Sequence, residues 1–488
     1  MKTIRSLVLL SLAIPISLST APADEENPFL NSSANKAPAS AAGDSFLTLT
    51  EHLLVPSDIL DSWLATHSMA KDASELRAAA QQWIEEGKAT IESSALTPGV
   101  VGRQYSNESL VEQIYATEYE PAPSPEDWVT PTSFETRNCG YTILGDAVRE
   151  QGELIVRESP RYVRMLPHRS FDQVSEKTRQ PDDVFIPRFR SFSIQQALSA
   201  PDGQFYSDDP FASSSPPPHR RSIPSYPEGK THLILRIDDD LAEPVIKRPD
   251  GNKPEKDEAP PSRPDRPVRL VFIRSDKTDS PPENVPPLPE NPQFSAKLIS
   301  VDHRTLSDWL QGRDLATASR ELGAAVEQWN EDDKVTLISS MSGGVVHQSR
   351  TLLEDIKKLE YPTEYEPGKP EPTADGKSTQ LGFSTGSNPS SRNVGTSLIA
   401  RISSDDGTQL LSVQLYRVLL GCYTVHHRVL RDGEWVQDIT FPRFSSNLWE
   451  TSVRPKKGEW MLVGGGSDFA EKGKLDPTRA VLAFVKVD

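Results

Sequence analysis

Thr117-Glu-Tyr-Glu-Pro121 recurs 246 residues later as Thr363-Glu-Tyr-Glu-Pro367. Working back at that offset, Trp63-Leu64 falls on Trp309-Leu310, Glu75-Leu76 on Glu321-Leu322, and Trp83 on Trp329. Between 63 and 121, 22 of 59 positions are identical without a gap. Working onward, the offset becomes 255. Arg137-Asn-Cys-Gly140 matches Arg392-Asn-Val-Gly395, and Ile186-Pro-Arg-Phe189 matches Phe441-Pro-Arg-Phe444. Val268-Arg-Leu-Val-Phe-Ile273 then resembles Ala480-Val-Leu-Ala-Phe-Val485. So many anchors in one order indicate an internal duplication. The repeats run over 46–276 and 294–488. The joint between them, 277–293, contains six prolines and is expected to be extended and semi-rigid.

Each repeat carries the same local plan. A short strand (Leu53–Val55; Lys297–Val301) leads into a helical pair. The second helix places Leu76, Ala79, Ala80 and Trp83, or Leu322, Ala325, Val326 and Trp329, at the i, i+3, i+4, i+7 spacing of one apolar face. Asp72, with Glu75 three residues on, is an N-cap signal. Strands are expected at 89–93 and 335–339. The period then changes to two: Leu398, Ala400 and Ile402 alternate with Ser397 and Arg401, a Ser404-Asp-Asp-Gly407 turn follows, and Leu411, Val413 and Leu415 alternate again. A second hairpin is expected from 450–454 and 459–463, joined through Pro455–Gly458. The expected fold class is α+β: two tandem diverged repeats, each a strand–helical pair–strand unit followed by an antiparallel β-rich domain. Two Pro/Ser/Asp-rich insertions in the first repeat, about 204–228 and 241–266, read as long surface loops.

The chain has 488 residues and a net charge of −17, from 53 Lys+Arg against 70 Asp+Glu. That sign repels nucleic acid and anionic membrane surfaces. Two cysteines, Cys139 and Cys422, build no disulfide framework; they occupy non-equivalent repeat positions, and both a bridge and two separate thiols remain open. Lys2 and Arg5 precede an apolar run ending near Leu18, and Ala21-Pro22-Ala23 offers small residues for cleavage. Residues 1–23 therefore read as a signal peptide and 24–45 as a linker. Cleavage after Ala23 leaves a chain of charge −19. No later stretch is long and apolar enough to be a membrane-spanning helix, so the expected location is the periplasm or cell envelope.

At the same anchors the chain resembles a known family. Tyr361-Pro-Thr-Glu-Tyr-Glu-Pro367, then Ser391-Arg-Asn-Val-Gly-Thr396 opening an alternating strand, resembles the start of the bacterial secretin domain. Pro131-Thr-Ser-Phe-Glu-Thr-Arg-Asn-Cys-Gly140 resembles it in the first repeat. Phe441-Pro-Arg-Phe444, Lys457-Gly458, Met461-Leu-Val-Gly-Gly465 and the closing strand 480–487 resemble the family's later hairpin and final strand. Secretins form the outer-membrane rings of type II and type III secretion, so the resemblance implies a β-rich domain and a channel subunit as one function. The departures point elsewhere. Two β-domains stand in tandem, the Leu-Gly-Gly is replaced in the first repeat by Leu233-Ile-Leu-Arg-Ile237, and no lipid-facing apolar band is evident. The expectation is a degenerate secretin-like protein used for binding or assembly.

Motifs for chemistry are few. Gly464-Gly-Gly-Ser467 reads as a tight turn after a strand in preference to a phosphate loop, because no Gly-Lys-Ser/Thr follows. Asp238-Asp-Asp240 and Asp405-Asp406 lack calcium-loop spacing. His426 and His427, adjacent in a strand, point to opposite faces and chelate one metal poorly. Asn31-Ser-Ser33 and Asn107-Glu-Ser109 match the glycosylation pattern. Trp63, Trp83, Trp309 and Trp329 read as core packing ahead of binding anchors. No catalytic, cofactor-binding or metal residue is assigned. The expected function is a non-enzymatic interaction protein with a protein partner in the envelope; a hydrolase with an unrecognised site is the further alternative. The segments after the Tyr-Glu-Pro elements, 368–380 in the second repeat, are expected to lie beside an edge strand that could accept a partner's strand.

Overall fold

The computed structural model describes residues 44–67, 72–121, 129–150, 153–170, 185–193, 225–227, 231–238, 267–278, 288, 292–344, 346, 348–376, 379–405, 408–431 and 434–488. The signal peptide, nearly all of both linkers, the insertion at 241–266, most of that at 204–228, and Asn31 lie outside them.

The first repeat runs β1 (Ser45–Pro56), α1 (Ser57–Leu64), α2 (Ser74–Glu85), β2 (Thr90–Val100), β3 (Gln104–Glu120), β4 (Thr130–Glu150), β5 (Glu153–Ser170), β6 (Phe185–Ser193), β7 (Ser225–Pro227), β8 (Thr231–Asp238) and β9 (Pro267–Thr278). The second begins β10 (Gln293–Asp302), α3 (His303–Gln311), α4 (Leu315–Glu331), β11 (Val335–Gly344) and β12 (Arg350–Glu366). It continues β13 (Pro370–Pro372), β14 (Thr379–Leu381), β15 (Thr385–Asp405), β16 (Thr408–Arg431), β17 (Glu434–Val453), β18 (Met461–Phe469) and β19 (Leu475–Val487).

The α+β expectation is overturned. Four α-helices stand against nineteen strands among the described residues, and the protein is mostly β, built from large antiparallel sheets. The strands that flank each helical pair do not form a separate α/β unit. β1 pairs with β2 and with β9, and β10 pairs with β11 and β19, so the beginning and end of each repeat share one sheet. Gly-, Ser- and Pro-containing stretches such as 130–150 and 385–405 are long strands. Propensity counts Gly, Ser and Pro as loop formers, but pairing on both sides overrides it. The second expected hairpin also fails: β17 lies in one sheet and β18 in the other, so 454–460 crosses between sheets.

The first sheet has the order β11-β10-β19-β18-β2-β1-β9-β8; the main path of the second is β12-β15-β16-β17-β3-β4-β5-β6. In each, four strands of the second repeat meet four of the first in the same sequence. β6 and β7 together occupy the place that β17 alone fills, each pairing with part of β5. At the upper end Glu364 of β12 also pairs with Ser133 of β4, so six strands, β12-β15-β16-β17-β3-β4, return on themselves.

The sheets pack face to face. Phe294, Ala296 and Leu298 of β10 and Val481, Ala483 and Val485 of β19 meet Leu398, Ala400 and Ile402 of β15, Leu411, Val413 and Leu415 of β16, and Trp449. A smaller cluster, with Phe46, Tyr105, Ile143 and Val156, does the same for the first repeat. The helices cover the opposite face of the first sheet: Leu76, Ala80 and Ile84 pack on Leu53, Val268 and Leu270, while Leu315, Leu322 and Val326 pack on Val301, Leu482 and Phe484. The layers are therefore helix, sheet, sheet. The N-cap of α2 is Ala73, not Asp72. Asp72 instead accepts from Ser74 N (3.0 Å) and Thr231 N (3.3 Å), tying the helix start to β8.

The Arg-Asn-x-Gly anchors have a backbone cause. Gly140 and Gly395 both have φ +130°, and a Cβ on either would strike the carbonyl oxygen of the neighbouring strand, Ser109 or Asp355. Only glycine allows that close approach.

Candidate interaction surface

The fold has two equivalent flanks, one covered and one open. The covered one is the flank of β2 and β3. β17 pairs with β3 over Ser445–Glu450 against Val111–Ser106, and β18 meets β2 at Gly465 opposite Leu96. Small and polar side chains line the seam. Asn107 Nδ2 donates to Gly465 O (2.8 Å) and Thr97 Oγ1 (3.0 Å), and Asn447 Nδ2 donates to Ser109 Oγ (3.0 Å) and Ser467 O (3.0 Å). Ser467 Oγ donates to Ser93 Oγ (3.0 Å), and Thr451 to the Pro98 carbonyl. These bonds satisfy groups that would otherwise be buried unpaired, which is the costly outcome.

Above the seam a buried arginine on α2 pairs with β1 and reaches α3 of the second repeat. Arg77 donates twice to Glu51 (2.7 Å each), with side chains 2% and 4% exposed, and reaches Ser307 Oγ (3.0 Å) across the repeats. His303 Nε2 bonds Ser94 Oγ (2.6 Å), and Arg304 donates to the carbonyls at the end of α2.

This location corrects two sequence readings. Gly464–Gly466 form neither a turn nor a phosphate loop; they are interior residues of β18. A Cβ at Gly466 would meet Ser109 Oγ at 2.7 Å, and one at Gly464 would sit inside the van der Waals shell of the Trp449 indole. Asn107 is 2% exposed and committed to the seam, so the folded chain offers no acceptor there for a glycan.

The open surface is the equivalent flank of the second repeat, β11 and β12. The main chain of β11 pairs only with β10, and that of β12 with β15 apart from the one bridge to Ser133, among the described residues. Ile91 of β2 is 3% exposed, packed among the first repeat's own helices and strands; its counterpart Leu337 is 59% exposed. Leu110 of β3 is 8% exposed; its counterpart Ile356 is 37% exposed. Leu352 and Val346 are also exposed. Glu354 and Asp355 lie between Leu352 and Ile356, and Lys357, Lys358 and Glu360 follow, so the edge is a mixed charged and apolar strip. The short pair β13 and β14 that follows β12 packs at the end of β16, where Arg431 donates to Glu371 (3.0 Å).

The remaining singled-out residues are placed as follows. Trp329 is buried, and Trp63, Trp83 and Trp309 pack partly buried against the helix-side cores. Cys139 and Cys422 are unpaired thiols; burial raises the Cys139 pKa to about 11. His427 Nδ1 bonds Asp438 (2.7 Å), which also accepts from Ser384 N and Oγ. Burial alone would raise the Asp438 pKa, but these bonds bring it below the ordinary value. His426 packs edge-on against Phe134 and Phe441, and burial, with Arg443 nearby, lowers its pKa to about 4. Asp238 ends β8 and Asp405 ends β15; Asp239, Asp240 and Asp406 lie outside the described residues.

Sequence reasoning missed the buried polar groups Glu51, Arg77, Glu158, Arg269, Arg417 and Asp468. Arg269 inside the apolar run 268–273 is the one visible signal among them. Arg417 donates to Asp468 (2.8 Å), while Glu158 accepts from Tyr105 (2.6 Å) and Thr50 (2.8 Å). Burial pushes the Glu158 pKa up despite those bonds. Among the described residues no three His, Cys, Asp or Glu side chains are grouped to hold a metal, and no helix is long and apolar enough to cross a membrane.

No protein-family profile matches the chain, and no curated protein matches it.

Proposed function

We propose that the protein is an exported, non-enzymatic interaction module of the cell envelope, an accessory of a secretion or envelope complex. Its binding element is the open flank of β11 and β12, which takes an extended segment of a protein partner as an added strand. One observation carries this reading. The β2/β3 flank of the first repeat is covered by β18 and β17 of the second, whereas the equivalent flank of the second repeat leaves Leu352 and Ile356 in solvent. A long edge with unpaired backbone groups and apolar side chains is a template for strand pairing.

The test is site-specific photocrosslinking in cells from positions 352 and 356, with 328 on the outer face of α4 as the control. A discrete adduct from 352 and 356, with the adduct from 352 lost when Ile356→Pro removes a backbone donor, is the expected result. Equal labelling from all three positions refutes the reading. A detergent-requiring, SDS-resistant ring would restore the channel subunit.

A further inference from the structure

Arg350 and Arg401 stand directly opposite each other in the β12–β15 register, both exposed on the face of the second sheet. Like charges at opposed positions of an antiparallel pair repel. Neither guanidinium forms a hydrogen bond or ion pair with a side chain among the described residues. The equivalent place in the first repeat is built differently. There Gln104 faces Asp146, and Asp146 is bonded by Arg157 Nε (2.7 Å) from the next strand. Ser412 occupies the position of Arg157 in the second repeat. The second repeat thus has the same strands but two unneutralised cations where the first has an internally neutralised site.

The two arginines line one end of a depression of about 560 Å³ whose floor includes Gln348, Ser412, Gln414 and Glu450. It runs across the strands from β12 to β3, four strand spacings or about 19 Å. Apart from the arginines and Glu450, its polar lining is amide and hydroxyl.

We propose that this trough binds an acidic oligosaccharide, with the carboxylate of a uronate unit held between Arg350 and Arg401. A planar carboxylate accepts paired N–H donors from a guanidinium and relieves the repulsion between the two. The amides of Gln348 and Gln414 both donate to and accept from sugar hydroxyls. Glu450 accepts from sugar hydroxyls. The site lies on the sheet face and does not depend on strand addition at the edge.

The test is calorimetric titration of the full chain with tri-galacturonate, maltotriose and inorganic phosphate at low and at physiological salt. The expected result is saturable binding of tri-galacturonate, no binding of maltotriose, and at least tenfold weaker phosphate. Arg350→Gln and Arg401→Gln should each weaken tri-galacturonate at least tenfold while leaving the urea midpoint unchanged or higher, because each removes a like-charge neighbour. The double variant Arg401→Asp/Ser412→Arg recreates the ion pair of the first repeat; it should abolish binding and keep the fold. Binding that survives in the arginine variants overturns the site. Phosphate binding as tightly as tri-galacturonate overturns the saccharide, and maltotriose binding equally well removes the role of the charge.

Discussion

Replacing Gly464 by Ala tests the seam where the two repeats join. A Cβ there would lie 2.9 Å from Trp449 Nε1 and closer still to the ring carbons. The indole is 1% exposed and packed among buried residues of both sheets, so it has no solvent to move into. β18 cannot retreat either, because its neighbours are fixed by the β19 register and by the Asn107 and Asn447 bonds. Overpacking a core of this kind costs about 1–3 kcal/mol, and the lack of any escape puts this case at about 3 kcal/mol. With a urea slope near 3 kcal/mol/M, the midpoint should fall by about 1 M. Tryptophan fluorescence reports the transition. Gly344→Ala is the control: its Cβ would find nothing nearer than 4.0 Å, and it should stay within about 0.5 kcal/mol of the parent. If Gly464→Ala unfolds at the parent midpoint, the close packing of β18 on Trp449 is wrong.

Further outcomes follow from other residues. Gly323→Ala, on α4 with its nearest neighbour at 3.8 Å, should stabilise the protein by about 0.5–1 kcal/mol in the same assay, because alanine is the better helix former. Arg77→Ala leaves Glu51 buried without its partner and should cost about 3–5 kcal/mol, whereas Arg77→Met/Glu51→Leu should recover most of that. His426 has a folded pKa lowered to about 4, mainly by burial, so the unfolded chain binds more protons between pH 4 and about 6.5. Its contribution is complete above about pH 6.5 and is lost as pH falls toward 4. The stability–pH slope in that window should therefore flatten in His426→Phe, and an unchanged slope would show that His426 is not the group. Glu158→Gln should keep or raise stability at neutral pH, since burial already disfavours the charged form, the amide oxygen still accepts from Tyr105, and its NH2 can donate to the Thr50 hydroxyl. A loss above about 2 kcal/mol would show that the carboxylate is needed.

The sequence by itself determined the local elements. The i, i+3, i+4, i+7 spacing put Leu76, Ala80, Leu322 and Val326 on helix faces that pack on the first sheet, because that periodicity is a property of the chain alone. The alternation at 398–402 and 411–415 likewise predicted the pairing of β15 with β16. The anchors Gly140 and Gly395 were visible as identities, though the backbone approach that requires them was not.

What only the tertiary structure decided is which strand lies beside which. β1 and β9 are more than 200 residues apart, and no local pattern states that they pair; this pairing turned an expected α+β repeat into two continuous sheets. Gly464–Gly466 read as a turn because glycine is poor in strands, yet contact with Trp449 and Ser109 makes glycine the side chain that fits. The open flank at β11 and β12 is the clearest case. Leu337 and Ile356 align with Ile91 and Leu110 and look like core residues in sequence. Burial depends on what packs against a strand, and that is set by long-range pairing.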